Sequence, residues 1–470
     1  MSASGGRWPP ACPRTSAGWG WDARQLAGHQ REQLRALLAC ALERSPFHAR
    51  RLAGIDPRRF EPGQLAGLPV MTKQQMMDGF DELATDRRLT RARVERHLAA
   101  SPAEPSLLLD RYVCLASGGS SGLRGIFVQT IEEYAEFVAS FVRPVAAALA
   151  ATGGPPPGGV PGVSRGCPGG VPVAIIGAAS PVHASGFGAA AGASGYPLRT
   201  ISAPATLPLA DLVARLNQAR LLVLQGHTTK LALLAEEQRA GRLQIAPVSV
   251  TAMGELLTQT DRAAIGAAFG VPPVAQFTCT EGLTGQSDPG GAVLTFASDM
   301  CIAELVDQDN QPVPDGTPSA KVLLTNLSNH THPLIRYELT DRLTRHPAGR
   351  GLGYLRATVE GRADDTFRYG SITVDPLVIR TVMVRTPAAL EYQVRQTSRG
   401  IDISVVASEQ LDHAALAAAL ERSLRAAGLP DPQVHIREVA DIIRHPETGK
   451  ARRFIPADTA TAGRHGGRDR

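Results

Sequence analysis

Between residues 173 and 277, short apolar segments alternate with segments whose apolar residues recur at helical spacing. The apolar segments predict four strands: Val173–Ile176, Leu221–Gln225, Val248–Met253 and Val274–Phe277. Two predicted helices lie between strands, at Ala210–Ala219 and Thr229–Ala240. Strands separated by helices are typical of a largely parallel sheet with crossover helices. The alternation therefore predicts an α/β fold, with a large N-terminal domain of mixed or parallel sheets and flanking helices.

Other patterns extend this domain in both directions. Apolar residues at helical spacing predict one amphipathic helix from Gln25 to Leu52. Thr72 is a predicted helix N-cap, and a long helix is predicted from Ile131 to Ala151. Residues 290–360 are rich in predicted strands, namely Ile302–Asp307, Lys321–Asn326 and Leu343–His346.

The pattern changes after Asp364. A predicted hairpin is followed by a helix and a strand, at Glu391–Gln396, Asp402–Ala407, Ala414–Ala427 and Gln433–Glu438. These elements form an α+β unit of about 90 residues, which is large enough to be a domain. We predict a large N-terminal domain over residues 23–363 and a small C-terminal domain over 364–456.

Three segments fall outside these elements. Residues 1–22 predict a disordered leader because Gly, Pro and Ser dominate there and no period is visible. Residues 153–172 are rich in Gly and Pro and predict a surface loop, since Pro removes hydrogen-bond donors and Gly costs entropy. We expect residues 457–470 to form a disordered tail.

Composition excludes several classes of protein. The 470 residues are 43% hydrophobic and 20% charged, which excludes a wholly disordered, collagen-like or coiled-coil chain. No stretch approaches the roughly 18 uncharged apolar residues of a membrane span. The first residues also lack the apolar run of a secretory signal. We therefore expect a cytoplasmic protein with no membrane partner.

Charge and cysteine usage narrow the partners further. The formal net charge is only +5, and aromatic residues make up 5% of the chain. No RNA- or DNA-binding motif is visible, so we expect no nucleic-acid partner. The six cysteines are scattered, with no C-x-x-C pair. This pattern favours free thiols over a zinc site.

The first candidate site is the loop Ser117-Gly118-Gly119-Ser120-Ser121-Gly122-Leu123-Arg124-Gly125. Glycines let backbone N–H groups turn inward, and hydroxyls add donors, so such a loop can cradle an anionic phosphate. It is not a Walker A loop, because no Gly-Lys-Ser/Thr ends it. Taken alone, a Gly/Ser segment of this kind is more often an ordinary loop than a phosphate site.

The second candidate is Thr280-Glu281, just after an apolar strand. Ligands bind at the carboxyl ends of strands in open α/β sheets. A hydroxyl beside a carboxylate there could contact a phosphate and its Mg²⁺. The alternative is a strand-end turn with a solvated glutamate.

Two further patterns follow. Arg336 and Asp341, and then Glu360-Gly361-Arg362-Ala363-Asp364-Asp365, combine carboxylates that can accept ribose hydroxyls with cations that can pair with phosphate. The alternative is a set of surface salt bridges. Near the end, Thr448-Gly449-Lys450 presents one of only four lysines, which are at positions 73, 230, 321 and 450. A solvated tail lysine is the alternative there.

The order of these patterns resembles the adenylate-forming superfamily of acyl-CoA synthetases, nonribosomal peptide synthetase adenylation domains and luciferases. The closest resemblance is to its phenylacetate-CoA ligase branch. It covers about Leu34 to Pro456 and begins with Ser45-Pro46-Phe47-His48 and Leu68-Pro69-Val70-Met71-Thr72-Lys73. It continues through the Ser/Gly loop, Thr280-Glu281, Pro333-Leu334-Ile335-Arg336-Tyr337 with Asp341, and Gly361–Asp365, and it ends at Thr448-Gly449-Lys450.

The resemblance implies ATP-dependent activation of a carboxylic acid to acyl-AMP, followed by transfer to coenzyme A. The implied catalytic residues are Lys450, which bridges the acyl carboxylate and the α-phosphate, Thr280, which contacts the α-phosphate, and Glu281, which holds Mg²⁺. The implied ATP- and AMP-binding residues are Ser117, Gly119, Ser120, Ser121, Gly122, Arg124, Asp341 and Arg362. Ser120 and Ser121 would hold the β- and γ-phosphates, and Asp341 would bind the ribose hydroxyls. Asp364 is the implied hinge for the small domain.

The candidate acid pocket holds His183, Gly226 and Phe277. His183 can equally be a core or loop histidine. No Asp lies near His183 or Gly226 to pair with an α-ammonium group, which disfavours α-amino acids. An aryl or arylacetic acid is what the resemblance implies, and it also implies a homodimer.

Several positions depart from the family pattern. Gly118 stands where a hydroxyl residue is usual, and Leu123-Arg124 stands where Lys and Pro are usual. Phe277, Thr278 and Cys279 alter the wall before Thr280-Glu281, and the segment after the hinge lacks the usual small and basic residues. The thiol acceptor therefore stays open between coenzyme A and a separate carrier protein, with an amine as a further acceptor. A weakly active nucleotide-binding homologue is the remaining alternative.

Overall fold

The computed structural model describes residues 20–100, 105–117, 125–140, 171–178, 180–184, 187, 198–349, 352–362, 365–374, 376–383, 386, 388–407, 411–444 and 451–457. Contacts between residues divide the chain into two compact units, one up to Glu360 and one that begins at Gly361. Most of the predicted leader, loop and tail lies outside the described residues, and so do Asp364 and Lys450.

The first unit contains nine described helices: α1 Ala23–Arg44, α2 Pro46–Arg51, α3 Lys73–Asp78, α4 Phe80–Leu83, α5 Arg91–Ala99, α6 over residues 131–140, α7 Leu209–Gln218, α8 Thr228–Arg239 and α9 Gln259–Phe269. Two short 3₁₀ turns lie at Pro57–Arg59 and Pro62–Gly67. Thr72 caps α3 through a hydrogen bond from the Gln75 N–H to its side chain, as predicted. Of the predicted helix 131–151, the described part is helical throughout.

The single helix predicted over 25–52 is wrong, because the chain breaks at Ser45. Ser45 has an extended backbone, and its side chain accepts a hydrogen bond from the His48 N–H. Pro46 has no N–H to continue α1, but it suits the first position of a new helix. Apolar spacing continues across the break and so conceals it.

The described part of this unit also contains fourteen strands, the last of which ends two residues into the second unit: β1 Tyr112–Ala116, β2 Ile126–Thr130, β3 Val171–Gly177, β4 Leu198–Pro204, β5 Val223–His227, β6 Ser249–Met253, β7 Val274–Thr278, β8 Thr284–Ser287, β9 Leu294–Phe296, β10 Cys301–Val306, β11 Lys321–Asn326, β12 Tyr337–Leu339, β13 Asp341–His346 and β14 Arg356–Arg362. Nine of them form one sheet in the order β13-β14-β9-β8-β7-β6-β5-β3-β4. The run β4-β3-β5-β6-β7 is parallel, and the pairs β7-β8, β8-β9 and β9-β14 are antiparallel. The predicted α/β class with a mixed sheet is confirmed.

The predicted loop over 153–172 ends two residues too late. Val171 and Pro172 belong to β3, and the Pro172 carbonyl accepts a hydrogen bond from the Leu222 N–H at 2.9 Å. Proline is tolerated near the start of a strand, where fewer backbone donors are needed.

Apolar side chains from the strands and helices of this unit bury one large core. Leu224 on β5, Val250 on β6 and Leu234 on α8 are fully buried within it. A second cluster lies under α1, where Leu34 and Leu38 pack with Ile335. The segment that leads to β12 is thereby held against α1.

The second unit has its own sheet and core. Its elements are β15 Phe367–Tyr369, β16 Ile372–Val374, α10 Pro376–Met383, β17 Ala389–Gln396, β18 Gly400–Ala407, α11 His413–Ala426, β19 Gln433–Glu438 and β20 Phe454–Ile455. The sheet order is β19-β18-β17-β20, with β17 and β18 antiparallel and the two outer pairs parallel. Leu420, Ile401 and Phe454 are among its buried residues. The smaller α+β unit is therefore confirmed.

Candidate active site

The parallel strands of the large sheet end at one edge. β3, β5, β6 and β7 run in the same direction and reach their carboxyl ends at Gly177, His227, Met253 and Thr278. Open α/β sheets bind ligands at this edge. The predicted residues His183, Thr280 and Glu281 all follow strands there.

Thr280 and Glu281 lie in a tight turn between β7 and β8. The Cys279 N–H donates to the Leu283 carbonyl at 3.1 Å, and the Gly282 N–H donates to the Cys279 carbonyl at 3.1 Å. Gly282 has a φ of +115°, and a Cβ atom there would overlap the side-chain amide of Asn326. Only glycine combines this φ with so close an approach.

Asn326 holds the turn from the opposite side. Its Nδ2 donates to the Glu281 carbonyl at 2.9 Å, and both residues are buried. A buried carbonyl without a partner would be costly, so this bond fixes the backbone that presents the glutamate. Sequence reasoning missed Asn326, since nothing in its local pattern distinguishes it from any strand-end asparagine.

The structure brings Asp341 into the same neighbourhood as Glu281. Burial raises the pKa of the Cys279 thiol well above its usual value, and the negative charges of Glu281 and then Asp341 raise that pKa further. Both carboxylates therefore act on one thiol, although they come from different parts of the chain. The roles that the sequence assigns to Glu281 and Asp341 stay predictions.

The described part of the Ser/Gly segment is the neck of a hairpin. β1 and β2 pair antiparallel, and the Ser117 N–H donates to the Gly125 carbonyl at 2.9 Å. The Gly125 N–H in turn donates to Ser117 Oγ at 2.9 Å. Ser117 thus closes the loop with its side chain. The other predicted phosphate-loop residues, Gly119, Ser120, Ser121, Gly122 and Arg124, lie outside the described residues.

His183 lies beside this neck. Its Nδ1 is 2.9 Å from the Ala116 carbonyl, so that nitrogen carries the proton. The Ala116 N–H donates to the Val182 carbonyl at 2.8 Å, and His183 is buried. A predicted acid-pocket residue is therefore tied to the end of β1, one residue before Ser117.

Gly226 and Phe277 have packing contacts inside the sheet. A Cβ atom on Gly226 would lie 2.8 Å from the Ile176 Cβ on the neighbouring strand, so the position requires glycine. The half-buried Phe277 ring lies 5.8 Å from the ring of Phe296. These contacts explain both residues structurally, and their part in an acid pocket stays a prediction.

Arg336, part of the third sequence pattern, points into the protein. Its Nε pairs with Glu304 at 3.0 Å, and one terminal nitrogen donates to the carbonyls of Ala66 and Leu68. Its backbone has a φ of +49°. Burial raises the pKa of Glu304, and the Arg336 charge opposes this. Within the described residues, this arginine is a structural anchor.

Asp364 and Lys450 lie outside the described residues, and Arg362 ends β14, the strand next to β13, which begins at Asp341. Arg362 is half-buried at the end of β14 and is counted with the second unit. Among the described residues, no group of three or more His, Cys, Asp or Glu side chains could hold a metal ion. In the same part of the chain, every helix is too short or too polar to cross a membrane.

Comparison with known proteins bears on the fold. No protein-family model matches the sequence, and the search of curated proteins found no match. Among solved structures, a 2-hydroxyisobutyryl-CoA ligase in its postadenylation state with R3-HIB-AMP is similar, with a TM-score of 0.65 and 19% identity over 97% of this chain and 95% of that one. An open conformation of that ligase with 2-HIB-AMP and CoA has a TM-score of 0.57 and 20% identity, over 97% of each chain.

The chain therefore has the fold of the adenylate-forming CoA ligases. The similarity extends over nearly the whole of both chains, which includes the smaller C-terminal unit. At this level of identity the likeness establishes architecture, and the activity must be argued from the residues.

Proposed function

We propose that the protein activates a carboxylic acid with ATP to form acyl-AMP and pyrophosphate, and then transfers the acyl group to coenzyme A. The observation that carries this proposal is the turn after β7, at the carboxyl edge of the sheet, in which Gly282 and the Asn326 amide fix the backbone that presents Glu281. Resemblance to the phenylacetate-CoA ligase branch supports an aryl or arylacetic acid as substrate. It also supports a homodimer.

In the first half-reaction, a carboxylate oxygen attacks the α-phosphorus and pyrophosphate leaves with its electron pair. Catalysis of such a step depends on positioning and on neutralising phosphate charge. Thr280 would donate to the α-phosphate, Asp341 would accept the ribose hydroxyls with Arg362 close by, and Lys450 would bridge the two reacting groups. Ser120 and Ser121, with Arg124 as cation, would hold the β- and γ-phosphates.

Glu281 fits the magnesium role in this scheme. Mg²⁺ usually keeps several waters and binds through one or two carboxylates plus substrate phosphates. A single buried glutamate with a fixed backbone satisfies that need without a cluster of protein ligands. The ion would neutralise charge on the phosphates.

In the second half-reaction, a thiol sulfur attacks the acyl carbonyl, and AMP leaves. By the resemblance, rotation about Asp364 would remove Lys450 from the site and admit the thiol. The altered segment after Asp364 leaves a carrier protein or an amine as outcomes of the test.

The test is a panel of carboxylic acids assayed for ATP-dependent pyrophosphate release. The panel holds aryl acids, arylacetic acids and a small 2-hydroxy acid, since one similar structure carries a hydroxyacyl adenylate. Hydroxylamine traps the adenylate without CoA, and faster AMP release on adding CoA identifies the acceptor. Trapped adenylate with no response to CoA would point to another acceptor. Absence of acid-dependent pyrophosphate release throughout the panel would overturn the proposal.

Lys450→Ala tests the residue assignment. Because the ammonium group is needed only while carboxylate and α-phosphate react, we expect loss of acid-dependent pyrophosphate exchange by about a hundredfold or more. Thioester formation from supplied acyl-adenylate should largely survive. Lys73→Ala, at the start of α3, is the matched control and should leave both reactions unchanged. Exchange near the wild-type rate in Lys450→Ala would show that the assignment is wrong.

A further inference from the structure

Glu133 binds backbone donors from two separate segments of the first unit. It lies in the first turn of α6, immediately after the hairpin β1–β2. Its Oε2 accepts from the Thr130 N–H at 2.7 Å, while Thr130 Oγ1 accepts from the Glu133 N–H at 3.2 Å. This reciprocal pair is a capping box, and it fixes the end of β2 to the start of α6.

The second carboxylate oxygen of Glu133 serves a distant segment. Oε1 accepts from the His330 N–H at 2.8 Å and from the Thr331 N–H at 3.1 Å. Charge-assisted bonds of this kind are about twice as strong as neutral ones. The cap of α6 uses only Oε2, so the two bonds that Oε1 accepts indicate a second role for Glu133.

That segment, residues 326–332, begins at Asn326, which contacts the Thr280–Glu281 turn. Asn326 Oδ1 accepts from the N–H groups of Ser328 and Asn329, at 3.0 and 3.1 Å, and its Nδ2 holds the Glu281 carbonyl. Asn329 Nδ2 donates to the Val128 carbonyl on β2 at 3.1 Å. We call Glu133, Asn326 and Asn329 the brace.

We propose that Glu133 is a positioning residue for nucleotide binding. Through the brace it keeps the hairpin β1–β2 in register with the turn that presents Glu281. The inference rests on the proposed function, because the turn and the hairpin matter together only if both contact one triphosphate. Glu133 itself touches no reacting atom, since its two oxygens are engaged by backbone N–H groups.

The test compares Glu133→Gln and Glu133→Asp with Glu132→Gln. Glu132 is the adjacent, exposed glutamate, so Glu132→Gln makes the same chemical change without touching the brace. Gln keeps the length but loses the charge, and Asp keeps the charge but loses reach. Three quantities are measured: hydrogen exchange of the His330 and Thr331 amides, the thermal midpoint, and the Kd for ATP by equilibrium dialysis.

We expect faster exchange at His330 and Thr331 in Glu133→Gln, and an ATP Kd raised roughly tenfold, the scale of one lost charged hydrogen bond. For Glu133→Asp, the exchange rates and the ATP Kd should lie between those of wild type and Glu133→Gln. For Glu132→Gln, both should match wild type. Faster amide exchange or a lower thermal midpoint with an unchanged Kd would overturn the inference, since Glu133 would then be structural only.

The readout separates this inference from the proposed function. ATP binding is measured without any acid, so a wild-type chain that binds ATP but shows no acid-dependent pyrophosphate release defeats the proposed reaction alone. The effect of Glu133→Gln on ATP affinity is then still decisive. If the wild-type chain binds no ATP, both the proposed function and the inference about Glu133 are overturned.

Discussion

His332 is a buried imidazole in surroundings that favour its neutral form. Its ring lies 4.9 Å from the ring of Phe80 and 6.3 Å from that of Phe127. Among the described residues, neither ring nitrogen has a hydrogen-bond partner. Burial and, to a smaller extent, the charge of His48 lower the pKa of His332 to about 3. Burial likewise lowers the pKa of His48 to about 4.

These shifts predict a loss of stability in mild acid. An unfolded histidine has a pKa of about 6.5, so below that pH the unfolded chain takes up protons that folded His332 refuses. The contribution of His332 to the stability of the folded chain is fully present above pH 6.5 and is lost progressively as the pH falls toward 3. At pH 5, which is about 1.5 units below the pKa of the unfolded histidine, His332 lowers the free energy of unfolding by about 2 kcal/mol relative to neutral pH, since one pKa unit corresponds to about 1.4 kcal/mol.

The measurement is urea unfolding of the first unit at pH 7 and pH 5. His332→Leu should lose less stability between these pH values than wild type, by about 2 kcal/mol. The same substitution at His435, which is exposed in the second unit, should leave the difference unchanged. Equal losses in wild type and His332→Leu would show that this histidine does not set the acid sensitivity.

At the scale of elements, the turn between β7 and β8 is a position where backbone and packing both require glycine. Gly282→Ala would force a side chain into a φ of +115° and against the Asn326 amide. Such strain costs about 1–3 kcal/mol. Because Asn326 must move, the variant should also lose its bond to the Glu281 carbonyl and with it pyrophosphate exchange.

Gly28→Ala is the matched control, and it should change the stability in the opposite direction. Gly28 lies inside α1, and nothing within 4 Å would meet an added Cβ. Alanine should stabilise the helix by about 0.5–1 kcal/mol. The test measures the urea midpoint and the rate of acid-dependent pyrophosphate exchange for both variants. A Gly282→Ala protein with wild-type stability and exchange would show that the turn tolerates rearrangement.

Local patterns predicted the parallel half of the sheet well. The predicted strands Val248–Met253 and Val274–Phe277 each differ by one residue from the observed β6 and β7. Outside the large sheet, Lys321–Asn326 and Gln433–Glu438 have the predicted bounds. The antiparallel pairs β8–β9 and β9–β14 were not predicted, because pairing joins segments that share no local pattern. The single helix predicted over 25–52 failed because apolar spacing outlasts the backbone break at Ser45.

The candidate site shows the same division. Thr280, Glu281 and Asp341 were selected from their residue types and order, since carboxylates and hydroxyls carry the chemistry themselves. Asn326 and Glu133 were missed because they act on backbone groups far away in sequence. Thr130-Ile131-Glu132-Glu133 does have capping-box spacing, which predicts one of the two roles of Glu133. The other role depends on tertiary structure.

At the scale of the whole molecule, each unit encloses its own core. Leu234 is fully buried in the first unit, and Leu420 on α11 is fully buried in the second. Residues in separate cores, with no shared partners, contribute independently to stability. Substitutions in one core should therefore leave the unfolding of the other unit unchanged.

Leu420→Ala tests this independence. Loss of a buried leucine costs about 2–5 kcal/mol, because the cavity it leaves collapses only in part. All three tryptophans lie within the first 21 residues, and Trp21 packs against His29 in the first unit, so fluorescence reports that unit. Amide exchange along β18 reports the second. We expect Leu420→Ala to accelerate exchange in β18 and leave the tryptophan transition in place, and Leu234→Ala to do the reverse. If Leu420→Ala shifted both signals equally, the two cores would unfold as one cooperative unit, and the smaller unit would owe its stability to the larger.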